Sequence, residues 1–187
     1  MPPCNTIVDS CSYFRLAQNI RPLLKREFGK EKHCLGVIKE LDEEYAKNPT
    51  LKHKFFWVNQ EEYTENRKKC FSPTMNQRAE INHAFFFMRE FARDNQLGVS
   101  KVDIIALSYA YVLKIPTVTD DSDMLVAAKE FGISTYKTLE VLKLMLDSGL
   151  VTMKEIRSIA SYWIYQNDTP RSYGKDFKKL FSENPPK

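Results

Sequence analysis

The sequence has only four cysteines, and no two of them form a C-x-x-C pair. They are Cys4, Cys11, Cys34 and Cys70, and their spacing follows no regular rhythm. A structural zinc site needs closely spaced pairs of ligands, and the pair His33-Cys34 has no second pair to match it. The pattern therefore favours reduced thiols that are buried or without a function over a structural zinc site.

Long apolar runs are also lacking. No stretch approaches the ~20 consecutive apolar residues that a helix needs to span a bilayer. The first ten residues, MPPCNTIVDS, have no basic start followed by a long apolar segment, which a secretory signal would need. We therefore expect a cytoplasmic protein with no membrane segment.

Neither sign of charge is in large excess. The 28 basic and 24 acidic residues leave a net charge of +4, a balance that is ordinary for a soluble protein and favours a polyanionic partner only weakly. Hydrophobic residues make up 43% of the chain and aromatic residues 12%, which is enough for a packed core. The length of 187 residues suits one substantial domain.

Short apolar runs alternate with helical patterns, which indicates an α/β fold. Strands are predicted at TIV (6–8), HCLGVI (33–38), IPTVT (115–119) and ISTY (133–136). The last third of the chain alternates strand and helix at short intervals, which is typical of a parallel sheet. We find no internal repeat and no low-complexity segment, and we expect one α/β domain with helical additions.

Several longer segments predict helices. Residues 12–28 (SYFRLAQNIRPLLKREF) predict a helix that is interrupted at Pro22. Residues 75–95 carry a broad apolar face at helical spacing, and residues 100–114 predict another helix. After Gly149 we expect two further helices with no strand between them.

Acidic residues follow the predicted strands. Because ligands of open α/β sheets bind outside the carboxyl ends of the strands, acids at parallel neighbouring strands would gather at one edge. Taken singly, each acid also has a simple structural explanation, such as a capping box for Ser100 with Asp103 or a favourable helix dipole for the run TDDSD. The acids in question are Asp9, Glu40, Asp103, Asp120, Asp121 and Asp123.

Taken together, these acids predict a metal site. Carboxylates held close in a cleft repel each other and raise one another's pKa. A divalent cation removes that repulsion, and a set of oxygen ligands suits Mg²⁺ or Mn²⁺. Asp120 and Asp121 are adjacent, so their side chains diverge by a large angle and we expect only one of them to reach a given ion. We assign Asp121 to the metal and Asp120 to the start of the following helix.

Three segments of the sequence resemble PIN-domain ribonucleases, and most closely the VapC-type toxins of toxin–antitoxin systems. They are IVDSCSY, VIKEL and SKVDIIALSYAYVLKIPTVTDDSDMLVAAKEFGI, and the match runs with gaps from about residue 5 to about residue 146. PIN domains carry a strand-end Asp often followed by Ser or Thr, a helical Glu, an Asp that opens a helix, and Thr-x-Asp after a later strand. The matching positions are Asp9 with Ser10, Glu40, Asp103, and Thr119 with Asp121.

The resemblance implies a three-layer α/β/α fold with a central parallel sheet. The PIN-like nuclease domain would cover residues 1–149, with a helical middle at 46–95 that matches no motif of the family. Residues 150–187 would form a C-terminal helical extension packed on the same domain.

The resemblance also implies an activity, the hydrolysis of RNA with one or two Mg²⁺ or Mn²⁺ ions. Implied partners are RNA, a small antitoxin protein and a second copy of the chain. Ser10 and Thr119 would position the carboxylates through hydrogen bonds, and Glu43 or Glu44 could take the place of Glu40. The implied metal ligands are Asp9, Asp103, Asp121 and Asp123, and the implied catalytic residues are Asp9, Glu40, Asp103 and Asp121.

An acidic pocket repels RNA, so basic residues must surround it. Arg15 follows Asp9 by six residues, and the segment NRKKC supplies Arg67, Lys68 and Lys69. These four residues are the predicted RNA contacts.

The alternative function is a catalytically inactive PIN-like scaffold that binds RNA or protein. A receiver-type phosphoacceptor site is a weaker alternative, because IVDS offers one acid where such sites have a pair.

Overall fold

A mostly parallel, five-stranded sheet organises the chain, which a computed structural model describes from residue 3 to residue 186. The strands are β1 (Thr6–Val8), β2 (Glu27–Phe28), β3 (His33–Gly36), β4 (Thr117–Val118) and β5 (Thr135–Tyr136). Their order across the sheet is β2-β3-β1-β4-β5. β1 pairs in parallel with β3 and β4, β4 pairs in parallel with β5, and only β2 is antiparallel. The predicted α/β class is confirmed.

Ten α-helices and one 3₁₀ helix surround the sheet in the described part of the chain. The α-helices are α1 (Ser10–Ala17), α2 (Glu40–Lys47), α3 (Pro49–Lys54), α4 (Glu61–Arg67), α5 (Met75–Asp94), α6 (Lys101–Leu113), α7 (Ser122–Glu130), α8 (Thr138–Asp147), α9 (Met153–Tyr165) and α10 (Tyr173–Phe181), and the 3₁₀ helix is Phe56–Asn59. Residues 46–95 are thus mainly helical.

Helices cover both faces of the sheet. Successive residues of a strand point to opposite faces, and β1 shows the consequence. Ile7 belongs to a hydrophobic cluster with α5, α6 and α7, whereas Val8 belongs to a second cluster with α1, α8 and α9. The arrangement is compatible with a three-layer α/β/α fold.

The segment after α1 differs from its sequence-based prediction. Instead of a helix over residues 12–28, α1 ends at Ala17, and Glu27–Phe28 forms a strand antiparallel to β3. Pro22 explains the break, because proline has no N–H to donate and its ring clashes with the preceding turn of a helix. Leu23 and Leu24 still reach the core from this irregular segment.

The C-terminal helices α9 and α10 pack on the same body as the sheet. The indole N–H of Trp163 in α9 donates to the backbone oxygen of Arg15 in α1, at 2.9 Å. Phe177 of α10 is fully buried in the cluster that contains Val8. Among residues 3–186, no helix is both long enough and apolar enough to cross a membrane.

Candidate active site

Asp9 stands where β1 ends and α1 begins. β1 is buried along its whole length, and Asp9 is the N-cap of the helix that follows. Its Oδ1 accepts a hydrogen bond from the Ser12 N–H at 2.5 Å. The carboxylate is only 5% exposed, so the capping role places a charged group inside the protein at the carboxyl edge of the sheet.

The pKa of Asp9 is raised to about 7, above the usual range of an aspartate. Burial is the largest cause, because it removes water from the charged form. Hydrogen bonds from the Thr119 side chain and from Ser12 lower the pKa in part, and the nearby charge of Asp103 raises it further.

Asp103 lies in the first turn of α6. The Ser100 side chain accepts from the Asp103 N–H at 3.1 Å, and Asp103 Oδ2 accepts from the Ser100 N–H at 3.0 Å, so the predicted capping box is present. The pKa of Asp103 is raised, mainly by burial, and the charge of Asp121 contributes to the increase. Asp9, Asp103 and Asp121 are therefore electrostatically coupled, and we refer to these three residues as the acidic edge.

Asp121 is the N-cap of α7, contrary to the prediction that Asp120 begins this helix. Asp121 Oδ1 accepts from the N–H groups of Asp123 and Met124, at 2.9 and 2.8 Å. The Asp121 N–H in turn donates to the Thr119 hydroxyl at 3.1 Å. Thr119 thus links Asp121 to Asp9, since it hydrogen-bonds to both residues.

Asp120 turns away from the acidic edge to bind Arg15. Its Oδ2 lies 2.5 Å from Arg15 Nη1 and accepts from the Thr138 hydroxyl at the same distance. The divergence predicted for adjacent aspartates is observed, but the residue that faces away is held by a buried ion pair. Asp123 also has a fixed partner, because its Oδ2 accepts from the Gly98 N–H at 2.7 Å.

The three glutamates of α2 have different surroundings. The Ser10 hydroxyl donates to Glu44 Oε2 at 2.6 Å, which connects Glu44 to the residue after Asp9. Glu40 has a buried Oε2 with no hydrogen-bond partner among the described residues. Glu43 is exposed and pairs with Lys47 at 3.8 Å. Glu44 is therefore the glutamate most directly joined to Asp9.

Cys11 marks the place where the acidic side chains meet. The pKa of its thiol is raised to about 12, first by desolvation and then by the charges of Asp9 and Asp103, with a smaller contribution from Glu44. The charges of three carboxylates contribute to the raised pKa of this one thiol, which indicates that all three lie near the first turn of α1. This proximity could not be predicted from the sequence, because Cys11 belongs to no recognisable pattern.

The acidic edge fits a divalent cation by its donor chemistry. All of its side-chain donors are oxygens, two of the carboxylates have raised pKa values, and Glu40 adds a buried oxygen with no partner in the described chain. Between residues 3 and 186, no group of three or more histidine, cysteine, aspartate or glutamate side chains is placed so that it could hold a metal ion. Mg²⁺ usually keeps several waters and uses only one or two carboxylates, so such a group is not required.

Two of the predicted RNA contacts need correction. Arg15 has a side chain that is only 10% exposed, and it is held by Asp120 and by Asp168. Arg67 is 6% exposed and pairs with Asp42, while also donating to the Val58 carbonyl at 3.0 Å. Both guanidinium groups are held by carboxylates of the fold, and Arg67 also borders a large cleft.

Lys68 and Lys69 remain at the surface, at the rim of a large cleft. The cleft has a volume of about 900 Å³ and lies between α5, α6, the 68–73 loop and the start of α2; we call it the α5–α6 cleft. Lys68 pairs with Glu65, whereas Lys69 has no salt bridge in the described part of the chain. Glu40 and Arg67, both predicted site residues, also line the cleft, whereas the lining residues of α5 could not be predicted, because α5 and the loop come together only through tertiary packing.

No protein-family model, curated protein or solved structure matches this chain. The chemistry of the acidic edge is therefore argued from the burial, charge and hydrogen bonds of its own side chains.

Proposed function

We propose that this chain is a metal-dependent endoribonuclease that hydrolyses phosphodiester bonds of RNA. The observation that carries the proposal is the electrostatic coupling of the acidic edge, in which Asp103 raises the pKa of Asp9 and Asp121 raises that of Asp103. Carboxylates that lie close together repel each other, and a bound cation relieves that repulsion. The resemblance to PIN-domain ribonucleases supports the same chemistry, because its motif residues include all three.

The carboxylates divide into ligands and their supports. Asp9, Asp121 and Asp103 would hold Mg²⁺ or Mn²⁺, and Asp123 would serve as an outer ligand or as a ligand of a second ion. When bound, the cation supplies charge neutralisation at the phosphate and lowers the pKa of water. Thr119 hydrogen-bonds to both Asp9 and Asp121, so it fixes two of the ligands relative to each other.

Glu44 is our candidate for orienting the attacking water and accepting its proton. The Ser10 hydroxyl donates to Oε2 of Glu44, which leaves Oε1 to accept a proton. Glu40, which the sequence motif selects, lies one turn earlier on the same helix and lines the α5–α6 cleft. Glu43 is the natural control, because it is exposed and pairs with Lys47.

The proposal is tested by incubating single-stranded and structured RNA with the protein and Mn²⁺, with an EDTA control. We expect cleavage that leaves a 5′-phosphate and that Asp9→Asn or Asp103→Asn abolishes. Asp147→Asn, which alters a surface carboxylate paired with Lys143, should cleave like the parent. Thr119→Ala should weaken metal binding or activity by about 10- to 100-fold, as loss of a group that orients a ligand does.

Cleavage that persists in both Asp9→Asn and Asp103→Asn would contradict the proposal. A parent protein that binds RNA but never cleaves it would instead support the catalytically inactive scaffold. The toxin role, the antitoxin partner and the homodimer stay predictions of the resemblance.

A further inference from the structure

The α5–α6 cleft combines cations that lack partners with exposed aromatic rings. Lys69, Arg78 and Lys101 all line it, and none of them forms a salt bridge with any residue that the structure describes. Arg78 uses its Nε to donate to the Pro73 carbonyl at 3.1 Å, which orients the guanidinium without neutralising it. Three uncompensated positive charges around one cavity create a site for an anionic ligand.

Phe86 is the aromatic residue most available to that ligand. Phe86 lies in α5, is 60% exposed and lines the α5–α6 cleft. It also lines a second cavity of about 560 Å³, together with Arg89 and Arg93. Phe85 and Lys101 border both cavities as well, so the two are adjacent along α5 and α6, and we refer to them together as the groove.

The second cavity borders the start of α6. It is lined in part by Leu97 and Val99, the neighbours of Gly98, whose N–H binds the carboxylate of Asp123. Lys101 stands two residues before Asp103 in the first turn of α6.

We propose that this groove binds single-stranded RNA, with a base stacked on Phe86 and phosphates paired with Lys69, Arg78 and Lys101. The inference rests on the proposed ribonuclease function and names the form of substrate that the site accepts. A cationic groove lined with aromatic rings is the arrangement by which proteins hold single strands, because only unpaired bases expose their faces for stacking. The walls of the groove come mainly from residues 68–93, within the segment that matches no motif of the family.

The experiment measures binding separately from cleavage. A short fluorescein-labelled single-stranded RNA of mixed sequence is titrated with the protein in EDTA, and fluorescence anisotropy reports the dissociation constant. Phe86→Ala is compared with Phe87→Ala, which removes a neighbouring ring that is 70% exposed but lines neither cavity. We expect Phe86→Ala to weaken binding roughly 5- to 100-fold and Phe87→Ala to leave it unchanged.

Salt dependence tests the cations. Lys69→Ala, Arg78→Ala and Lys101→Ala should each reduce the slope of log affinity against log salt by about 0.7, the value for one phosphate contact of a single strand. Lys154→Ala, on the exposed surface of α9, is the control and should leave the slope unchanged. A duplex of the same sequence should bind more weakly than the single strand.

Equal loss of affinity in the two phenylalanine variants would overturn the proposal, as would equal affinity for the duplex. A parent protein whose oligomeric state depends on Phe86, with RNA affinity unaffected, would make this face a self-association surface and would also overturn it. Cleavage that survives without any effect of the groove variants on binding contradicts this inference alone. Groove-dependent binding without cleavage in Mn²⁺ supports it and contradicts the proposed ribonuclease.

Discussion

Asp9 couples the stability of the metal-free protein to pH. The pKa of Asp9 is about 7 in the folded protein, whereas an unfolded aspartate has a pKa of about 3.9. Between these values the folded state binds more protons than the unfolded state, so the free energy of unfolding decreases as the pH rises through this interval. Ionisation of Asp9 therefore lowers the free energy of unfolding of the metal-free protein, and protonation restores it.

We therefore expect Asp9→Asn to stabilise the metal-free protein at pH 8, by roughly 1–3 kcal/mol. Asparagine caps a helix about as well as aspartate, so the cap of α1 is kept. The difference from the parent should shrink as the pH is lowered toward 4, which urea unfolding in EDTA at several pH values would reveal. If the parent and Asp9→Asn were equally stable at pH 8, the ionised Asp9 carboxylate would not destabilise the fold. Asp147→Asn serves as the control.

Substitution of Asp120 should reduce stability, whereas substitution of Asp121 should reduce activity. Asp120→Asn removes the charge that faces Arg15 inside the protein, and we expect it to lower the free energy of unfolding by about 1–3 kcal/mol. Asp121→Asn retains the cap of α7 and should stay close to the parent in stability, while losing Mn²⁺-dependent cleavage. Thermal unfolding and cleavage assays on both variants test this, and an Asp120→Asn protein as stable as the parent would argue against it.

At the scale of the elements, β3 depends on a glycine. A Cβ at Gly36 would lie 2.7 Å from the Cβ of Cys4, 2.8 Å from its Sγ and 2.9 Å from the Cβ of Cys70. Contacts under 3.0 Å require a shift of the neighbours, and these atoms are close to the backbone of two other segments. β3 can therefore lie in the sheet only because residue 36 has no side chain.

We expect Gly36→Ala to destabilise the protein by about 1–3 kcal/mol, the usual cost of overpacking. Gly174→Ala is the matched control, because it lies in α10 and its added Cβ would meet one atom at an ordinary 3.9 Å. The control should be neutral or stabilising by up to about 1 kcal/mol, since alanine favours a helix more than glycine does. Similar melting temperatures for the two variants would contradict the packing argument.

The elements that could be predicted from the sequence are those whose signals are local. The apolar runs at residues 6–8 and 115–119 and the helical face at 75–95 correspond to β1, β4 and α5. The capping box of α6 is also local, since Ser100 and Asp103 are three residues apart. β2 was not predicted, because it is only two residues long and its pairing with β3 depends on tertiary structure rather than on a local sequence pattern.

The partners of the charged side chains could not be predicted in the same way. Arg15 pairs with residues 105 and 153 positions away, and Arg67 pairs with Asp42, 25 positions away. A basic residue near an acidic motif looks equally suited to a phosphate and to a buried carboxylate until tertiary packing decides between them. The same reason explains why Glu44 was not distinguished from Glu40.

At the scale of the whole molecule, metal binding should stabilise the fold. A ligand that binds only the folded state stabilises it by about 2.7 kcal/mol when its concentration is a hundred times Kd. For a protein of this size that corresponds to an increase in Tm of about 5–10 °C. We expect this increase with Mn²⁺ in the parent and its loss in the double variant Asp9→Asn, Asp103→Asn. A parent Tm that is unaffected by saturating Mn²⁺ would argue against a metal site.

The contacts that hold Arg15 of α1 have a consequence for synthesis on the ribosome. α1 follows Asp9 directly, yet its Arg15 is held by Trp163 and Asp168, which lie 148 and 153 positions later in the chain. Contacts between distant parts of a chain cannot form until the later segment has emerged. A nascent chain that exposes the first strand and helix therefore lacks the contacts that fix them. If the proposed ribonuclease function holds, we expect activity at the acidic edge to appear only once translation has passed these residues.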